Sequence, residues 1–336
     1  MEKIHHLLQE KVIIVTGAAG FIGSAVVRHL NNLGFENLLL VDDIEKTEKW
    51  KNLLGKKFSD FISKHDLFPW LEERVAEVGG IIHLGACSDT LEKDGDYLME
   101  NNFRYTQLLA EIALHHDIRF IYASSAATYG DGSLGFADDL DRLEELRPLN
   151  PYGFSKHIFD LWAKQHGAFS SIVGLKYFNV FGPNEDHKGH MASMVYKMLP
   201  KVKNEGVVHL FKSSEPDRFG DGEQCRDFIY VKDAAKMTCD FLFNNISGLF
   251  NIGRGSPTTW NQLATALFNA VEKKTNIEYI DMPGDLVKQY QNYTCADMNR
   301  YFDTHGYKKT AAPFTYDIET AVKDYVQGHL LGGKQW

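Results

Sequence analysis

The sequence predicts an α/β chain whose centre is a doubly wound parallel sheet, followed by a smaller α/β C-terminal unit. Three observations predict it. Strand-like and helix-like segments alternate through the first half, a glycine-bearing turn joins the first strand to the first helix, and longer polar loops take over after Gly182-Pro183. A length of 336 residues allows about two compact units. With 44% hydrophobic and 24% charged residues the composition is that of an ordinary globular chain. A formal charge of −9 gives no hint of nucleic-acid binding. No run of about 18 apolar residues exists to span a membrane, and the polar start lacks the apolar core of a secretory signal, so the expected location is the cytoplasm.

The first strand is the β-branched run Val12-Ile13-Ile14-Val15-Thr16. Gly17-Ala18-Ala19-Gly20-Phe21-Ile22-Gly23 follows at once, and a helical pattern runs from Ser24 to Leu33. Strand, glycine turn and helix in that order form a dinucleotide-binding unit of the Rossmann type. Gly17 permits the tight turn, Gly20 lets the main chain approach a pyrophosphate, and Gly23 lets helix and strand pack closely. The spacing is GxxGxxG; the alternative, a glycine-bearing surface turn, is disfavoured by the flanking elements. A second strand, Leu38 to Val41, ends at Asp42, about 20 residues on, where an acid meets the adenosine ribose. That acid argues for NAD. Lys49 and Lys64 are placed to reach a 2′-phosphate, although lysines there are more often solvated charges, so the residues themselves leave NAD and NADP open.

Gly80-Ile81-Ile82-His83-Leu84 reads as the next strand, Tyr97 to His115 as a helix, Arg119 to Ala123 as a strand, then a helix carrying Tyr152 and a strand from Ser171 to Tyr177. Residues 84–88 would lie against the cofactor at the sheet's carboxyl edge, with Asn101 on the helix that follows. Tyr152 and Lys156 are four residues apart, hence on one helix face, with Ser124-Ser125 upstream. For Tyr152 to act as a base near neutrality its pKa must fall by about 2–3 from near 10, roughly 3–4 kcal/mol of preferential stabilisation. A close lysine and a cationic nicotinamide ring would supply it, and Ser125 would add a hydroxyl to the same substrate oxygen. A lone YxxxK is most often an ordinary solvated face; the strand, glycine turn and serine around this one reverse that reading.

Beyond Gly182 the loops 184–189 and 213–224 separate the strand-like segments Phe228-Ile229-Tyr230-Val231 and Leu249-Phe250-Asn251-Ile252. The expected division is a Rossmann domain over 1–180 with a return segment 226–258, and a substrate domain over 181–225 and 259–330. The long loops suit a lid or a binding surface, with plain connections as the alternative. Cys87, Cys225, Cys239 and Cys295 are scattered, and His187 and His190 have no carboxylate at ligand spacing, so no disulfide scaffold and no metal site is expected.

Taken together, GxxGxxG, Asp42, Tyr122-Ala123-Ser124-Ser125-Ala126-Ala127-Thr128-Tyr129-Gly130, YxxxK at 152 and 156, and Lys176-Tyr177-Phe178-Asn179-Val180-Phe181-Gly182-Pro183 resemble the extended short-chain dehydrogenases that act on nucleotide sugars. The resemblance covers nearly the whole chain. Residues 85–88, 185–189, 191–193 and 226–231 are similar to the branch acting at C-6 of ADP-heptoses, with His187-Lys188-Gly189 as the discriminating mark.

That resemblance implies a redox-neutral epimerisation, in which hydride leaves C-6 to tightly bound NADP and returns to the opposite face of the ketone. Tyr152 and Lys188 would be the acid/base pair, with Ser125 and Lys156 in support. Read locally, Lys188 beside Glu185 and Asp186 is a surface ion-pair lysine. The resemblance assigns the cofactor to Gly17, Gly20, Phe21, Ile22, Gly23, Asp42, Asp43, Lys49, Lys64, Leu84, Gly85, Ala86, Cys87, Ser88, Asn101, Lys156, Val180 and Lys188, which tips the balance to NADP. It assigns the ADP-heptose to Asn179, His190, Lys197, Phe211, Lys212, Ser213, Ser214, Arg226 and Tyr290, although His190 and Lys197 depart from the family pattern. A homo-oligomer, in the form of a pentamer, and a role in making lipopolysaccharide inner-core precursors are further implications. The alternatives are a UDP-hexose 4-epimerase, a 4,6-dehydratase, and a non-catalytic cofactor-sensing protein. Ala126 and Ala127 stand where dehydratases place an acidic pair, which argues against elimination.

Overall fold

The computed structural model describes residues 2–287, 290–307 and 313–336. Seven parallel strands form the main sheet, in the order Gly248–Ile252, Val173–Tyr177, Arg119–Ser125, Val78–His83, Val12–Thr16, Leu38–Val41 and Asp60–Ile62. Strand order reverses between Val12–Thr16 and Val78–His83, so a crevice opens at their carboxyl ends, where ligands bind in sheets of this kind. Val12–Thr16 is buried at every position, as a central parallel strand covered on both faces must be. In-register pairing brings Thr16 beside His83 and Ser125 beside Tyr177, which aligns the strand ends along that crevice.

The helix Pro151–Gln165 starts where its local chemistry directs. Asn150 caps it by accepting from the Gly153 amide at 2.7 Å, and Pro151 occupies the first turn, where no amide is needed. Tyr152 is thereby held at the N-terminal end, beside the strand that delivers Ser125. The helix expected over 97–115 begins at Gly95, capped by Asp94, and is interrupted by a π turn over Met99–Arg104. One further boundary differs: Val231, read as a strand residue, opens the helix Val231–Asp240.

Two hydrophobic cores result. The larger surrounds the seven-stranded sheet; the smaller gathers Phe181, Val195, Met198, Leu199, Val202, Val208, Leu210, Phe228 and Tyr230 with the helix Trp260–Ala270 and residues 321–326. Ala296, Met298, Tyr301 and Phe302 pack into the larger core although they lie within 259–330, so that stretch serves both. Three short two-stranded ribbons stand apart from the main sheet: Asn179–Phe181 with Phe228–Tyr230, Val208–Phe211 with Ile277–Ile280, and Cys225–Arg226 with Thr258–Thr259. Among the described residues no helix is long and apolar enough to cross a membrane.

Candidate active site

The glycine turn is built by close approach of main chain to main chain. Gly17 has φ +64°, and a Cβ there would lie 2.7 Å from the Gly85 nitrogen; a Cβ on Gly23 would lie 2.0 Å from the Gly17 carbonyl oxygen. Only glycine fits at either position. Gly20 starts the helix Phe21–Asn32 with no side-chain cap, so first-turn amides there remain for an anion. At the end of the second strand, Asp42 accepts from the Ala19 amide at 2.9 Å, from the Asp43 amide at 2.8 Å and from Lys49 Nζ at 2.9 Å. Lys64 Nζ lies 3.6 Å from Asp43 and donates to Asn101 Oδ1 at 3.1 Å. Burial pushes the Asp43 carboxyl up, but hydrogen bonds from Ser63 and Lys64 outweigh it and hold it below the usual carboxylate range. Both acids and both lysines therefore meet at one rim.

The loop 84–88 is pinned from beneath. Thr16 Oγ1 accepts from the Gly85 amide at 3.0 Å, and Asn102 clamps Cys87 by accepting from its amide at 2.8 Å and donating to its carbonyl at 2.9 Å. Asn102 also donates to Ser155 Oγ at 3.0 Å, so it joins this loop to the helix that carries Tyr152 and Lys156. Asn101, the asparagine expected here, lines the cleft, while Asn102, for which no expectation was made, faces the loop across the π turn. His83 sits behind, fully buried between Thr16 at 2.6 Å and Thr106 at 2.9 Å, and burial lowers its pKa to about 3.

Ser125, whose Oγ accepts from the Ala127 amide at 3.1 Å, stands close enough to Tyr152 to favour its anion. Burial pushes the Tyr152 phenol above its ordinary value, and Ser125 offsets this only in part. The lowering expected at this tyrosine is thus not a property of the chain by itself. The reason is geometric: Lys156 Nζ donates to the Ala123 carbonyl at 2.8 Å, and burial brings Lys156 itself down to about 8.

Tyr152 and Lys156 share one cleft of about 440 Å³ with Lys188 and with every residue expected to hold the cofactor except Val180. Val180 lies instead in the short ribbon, paired with Ile229. Lys188 is half-buried, 5.4 Å over the Phe21 ring, and it forms no carboxylate ion pair among the described residues. Burial lowers its pKa, against the charge of Glu185. The glycine cradle, the open helix terminus and the Asp42 rim are a donor set that fits a dinucleotide.

The residues expected to hold the sugar nucleotide fall outside that cleft and in separate places. Arg226 stacks over Tyr290 at 4.9 Å and near Trp260 at 5.8 Å, Trp260 Nε1 donates to the Tyr290 hydroxyl at 2.8 Å, and Phe211 meets the Tyr290 ring edge-on at 6.4 Å. Ser214 hydrogen-bonds Asn292 beside this patch at 3.3 Å. Lys212 is turned to Asp281 at 2.9 Å, and the Ser213 amide donates to Asp221 at 2.8 Å. His190 faces Asp89 at 3.3 Å, with Lys197 donating to the His190 carbonyl at 3.0 Å. Asn179 is exposed on its ribbon. Trp260 went unnoticed in the sequence, where it is simply the first residue of a capped helix. Among the described residues no group of three His, Cys, Asp or Glu side chains could hold a metal ion.

Residues 13–253 match the model of the NAD dependent epimerase/dehydratase family. The chain belongs to that family. Its members' shared nicotinamide dinucleotide accounts for the cradle at Gly17 and the rim at Asp42. The chain is 46% identical over 327 residues to ADP-L-glycero-D-manno-heptose-6-epimerase from Nitratidesulfovibrio vulgaris, covering 94% of this chain and 97% of that protein. It is 44% identical over 331 residues to the protein of the same name from Fusobacterium nucleatum, covering 95% and 98%. The crystal structure of Helicobacter pylori ADP-L-glycero-D-manno-heptose-6-epimerase superposes with a TM-score of 0.79 at 27% identity, covering 96% of each chain.

Proposed function

We propose that this family member inverts C-6 of ADP-D-glycero-D-manno-heptose to give the L-glycero epimer, using NADP that stays bound through the turnover. The observation that carries the reading is that Tyr152, on the helix Pro151–Gln165, and Lys188, on the turn Asp186–Met191, enter one cleft from two different elements. Inversion needs proton traffic at the same hydroxyl carbon presented in two orientations, and two separately mounted acid/base groups meet that need. The relatives bearing this activity in their names support the choice of substrate.

A bound nicotinamide dinucleotide supplies a reversible hydride acceptor. Tyr152 takes the proton of the sugar hydroxyl in one orientation, with Ser125 fixing the phenol. Lys156, charged below about pH 8 and held by the Ala123 carbonyl, would add its charge to that of a bound nicotinamide ring in favouring the Tyr152 anion. Lys188 serves the second orientation. Lys49 and Lys64 beside Asp42 and Asp43 would meet a 2′-phosphate, the ground for choosing NADP over NAD. Arg226, framed by Tyr290 and Trp260, offers a planar charged fork to the diphosphate. Ala126 and Ala127 open the short helix after Ser125 and bring no carboxylate there, which favours epimerisation over elimination. A cytoplasmic homo-oligomer, in the form of a pentamer, supplying lipopolysaccharide precursors completes the reading by resemblance to the family.

The test is proton NMR of ADP-D-glycero-D-manno-heptose incubated with the purified protein without added reductant. The L-glycero signal should grow with no net change in NADPH absorbance. An unchanged sugar with cofactor bound would discard the substrate, and turnover of UDP-hexoses instead would establish a 4-epimerase.

A further inference from the structure

Glu185 is 1% exposed and has no cation at ion-pair distance among the described residues. Burying a carboxylate in this way is costly unless its oxygens are met by donors. They are: Oε2 accepts from the Ser193 amide at 2.6 Å, and Oε1 accepts from Ser193 Oγ at 2.6 Å and from the Gly182 amide at 3.4 Å. Those donors stand at the two ends of the 182–193 loop, so one side chain closes the loop on itself. Lys188 lies between those ends, and its own amide donates to the Glu185 carbonyl at 2.9 Å. Ser193 in turn caps the helix Met194–Asn204, accepting from the Tyr196 amide at 3.3 Å. The loop is thereby tied to a rigid element at its far end.

The surrounding charges are unequal in what they do to Lys188. Asp186 and His187 share its turn, Lys49 and Asp42 stand across the cleft, Tyr152 lines the same cleft, and Tyr196 and Tyr325 flank Glu185. Burial draws the Lys188 ammonium toward the neutral form, and the charge that opposes it is that of Glu185, whose own carboxyl burial pushes up and the Ser193 and Gly182 donors only partly bring back. An acid/base lysine in a half-dry cleft needs a fixed place and a fixed counter-charge. We propose that Glu185 is the positioning residue of Lys188: its buried carboxylate closes the 182–193 loop and sets a negative charge beside the turn that carries the lysine.

The proposal rests on the reading of Lys188 as an acid/base group, and the test separates the two. Glu185→Gln keeps the shape and removes the charge; Glu185→Asp keeps the charge one methylene short of Ser193 and Gly182. In each variant the rate of Lys188 acetylation by acetic anhydride is followed across pH by peptide mass spectrometry, alongside kcat, KM, cofactor content and thermal melting. In Glu185→Gln the labelling midpoint should move down, with kcat at least about tenfold lower, KM within about threefold and cofactor retained. In Glu185→Asp the midpoint should hold while kcat falls. A labelling midpoint unmoved in folded Glu185→Gln overturns the proposal. Should that variant not fold, a parental kcat in Glu185→Asp overturns it instead. Lys188→Met turning over like the parent overturns the reading of Lys188, whatever Glu185 does.

Discussion

At the glycine turn on the carboxyl edge of the large sheet the cleft is shaped by main chain against main chain, whereas around Arg226 the walls are side chains brought from distant segments. The glycine cradle tolerates no Cβ at Gly17 or Gly23, and its loops are pinned by buried side chains such as Thr16 and Asn102. The Arg226 patch is assembled from residues 211, 226, 260 and 290, held by ring contacts and the Trp260–Tyr290 hydrogen bond. A main-chain cradle fits the part of a ligand that never varies, the pyrophosphate, and a side-chain patch suits the part that distinguishes one nucleotide sugar from another.

Substitutions can break that contrast or sharpen it. The largest effect is expected at the chemistry: Tyr152→Phe should lower kcat by about 10²–10⁴-fold with cofactor content unchanged, as read by the NMR assay and by absorbance of released cofactor. Arg226→Ala should raise KM by about 10–100-fold, equivalent to losing about 1.5–3 kcal/mol of charge-assisted hydrogen bonding, with the melting temperature near that of the parent. Gly23→Ala should do the reverse, destabilising the fold by about 1–3 kcal/mol and releasing cofactor, because the new Cβ meets main chain that cannot yield. If Arg226→Ala also emptied the cofactor cleft, the two regions would not be separable.

Acid should act on the large core before the patch. Burial holds His83 at about 3 and lowers His29 and His187 to about 4, from an ordinary 6.5, the latter two with help from Lys236 and Lys188. The unfolded chain takes up these protons near pH 6.5 and the folded chain does not, so the stability they contribute is complete above that pH and lost as pH falls toward 4 and 3. Melting temperature against pH checks this, and a His83→Gln variant should flatten the slope. The smallest effect is expected at the rim, where Lys49→Ala should weaken NADP by about 3–10-fold relative to NAD, measured by competition.

Much of the cleft was legible from local chemistry. Gly17, Gly20 and Gly23 announce a turn in which main chain must touch main chain, and the Tyr152–Lys156 spacing sets two side chains on one helix face. The parallel, doubly wound character of the sheet followed from alternation; its strand order did not. What could not be read was whatever depends on facing direction over distance. Asn102 rather than Asn101 clamps Cys87 because a π turn shifts the helix register there. In the chain by itself burial raises Tyr152, and the cationic ring expected to help lower it belongs to the cofactor.

By itself the sequence determined the order of strands and helices, the glycine cradle, the Ser125, Tyr152 and Lys156 set, and the acid at the second strand's end, since each is a matter of spacing within one or two adjacent elements. Only the tertiary structure decided that Lys188 is a cleft residue and not a surface ion-pair lysine, that Trp260 and Tyr290 frame Arg226, that residues 296–302 serve the larger core, and that Glu185 lies buried under the Lys188 turn. These are contacts between segments far apart in the chain, set by the packing of two cores against each other, and no local pattern encodes which side chains that packing will bring together.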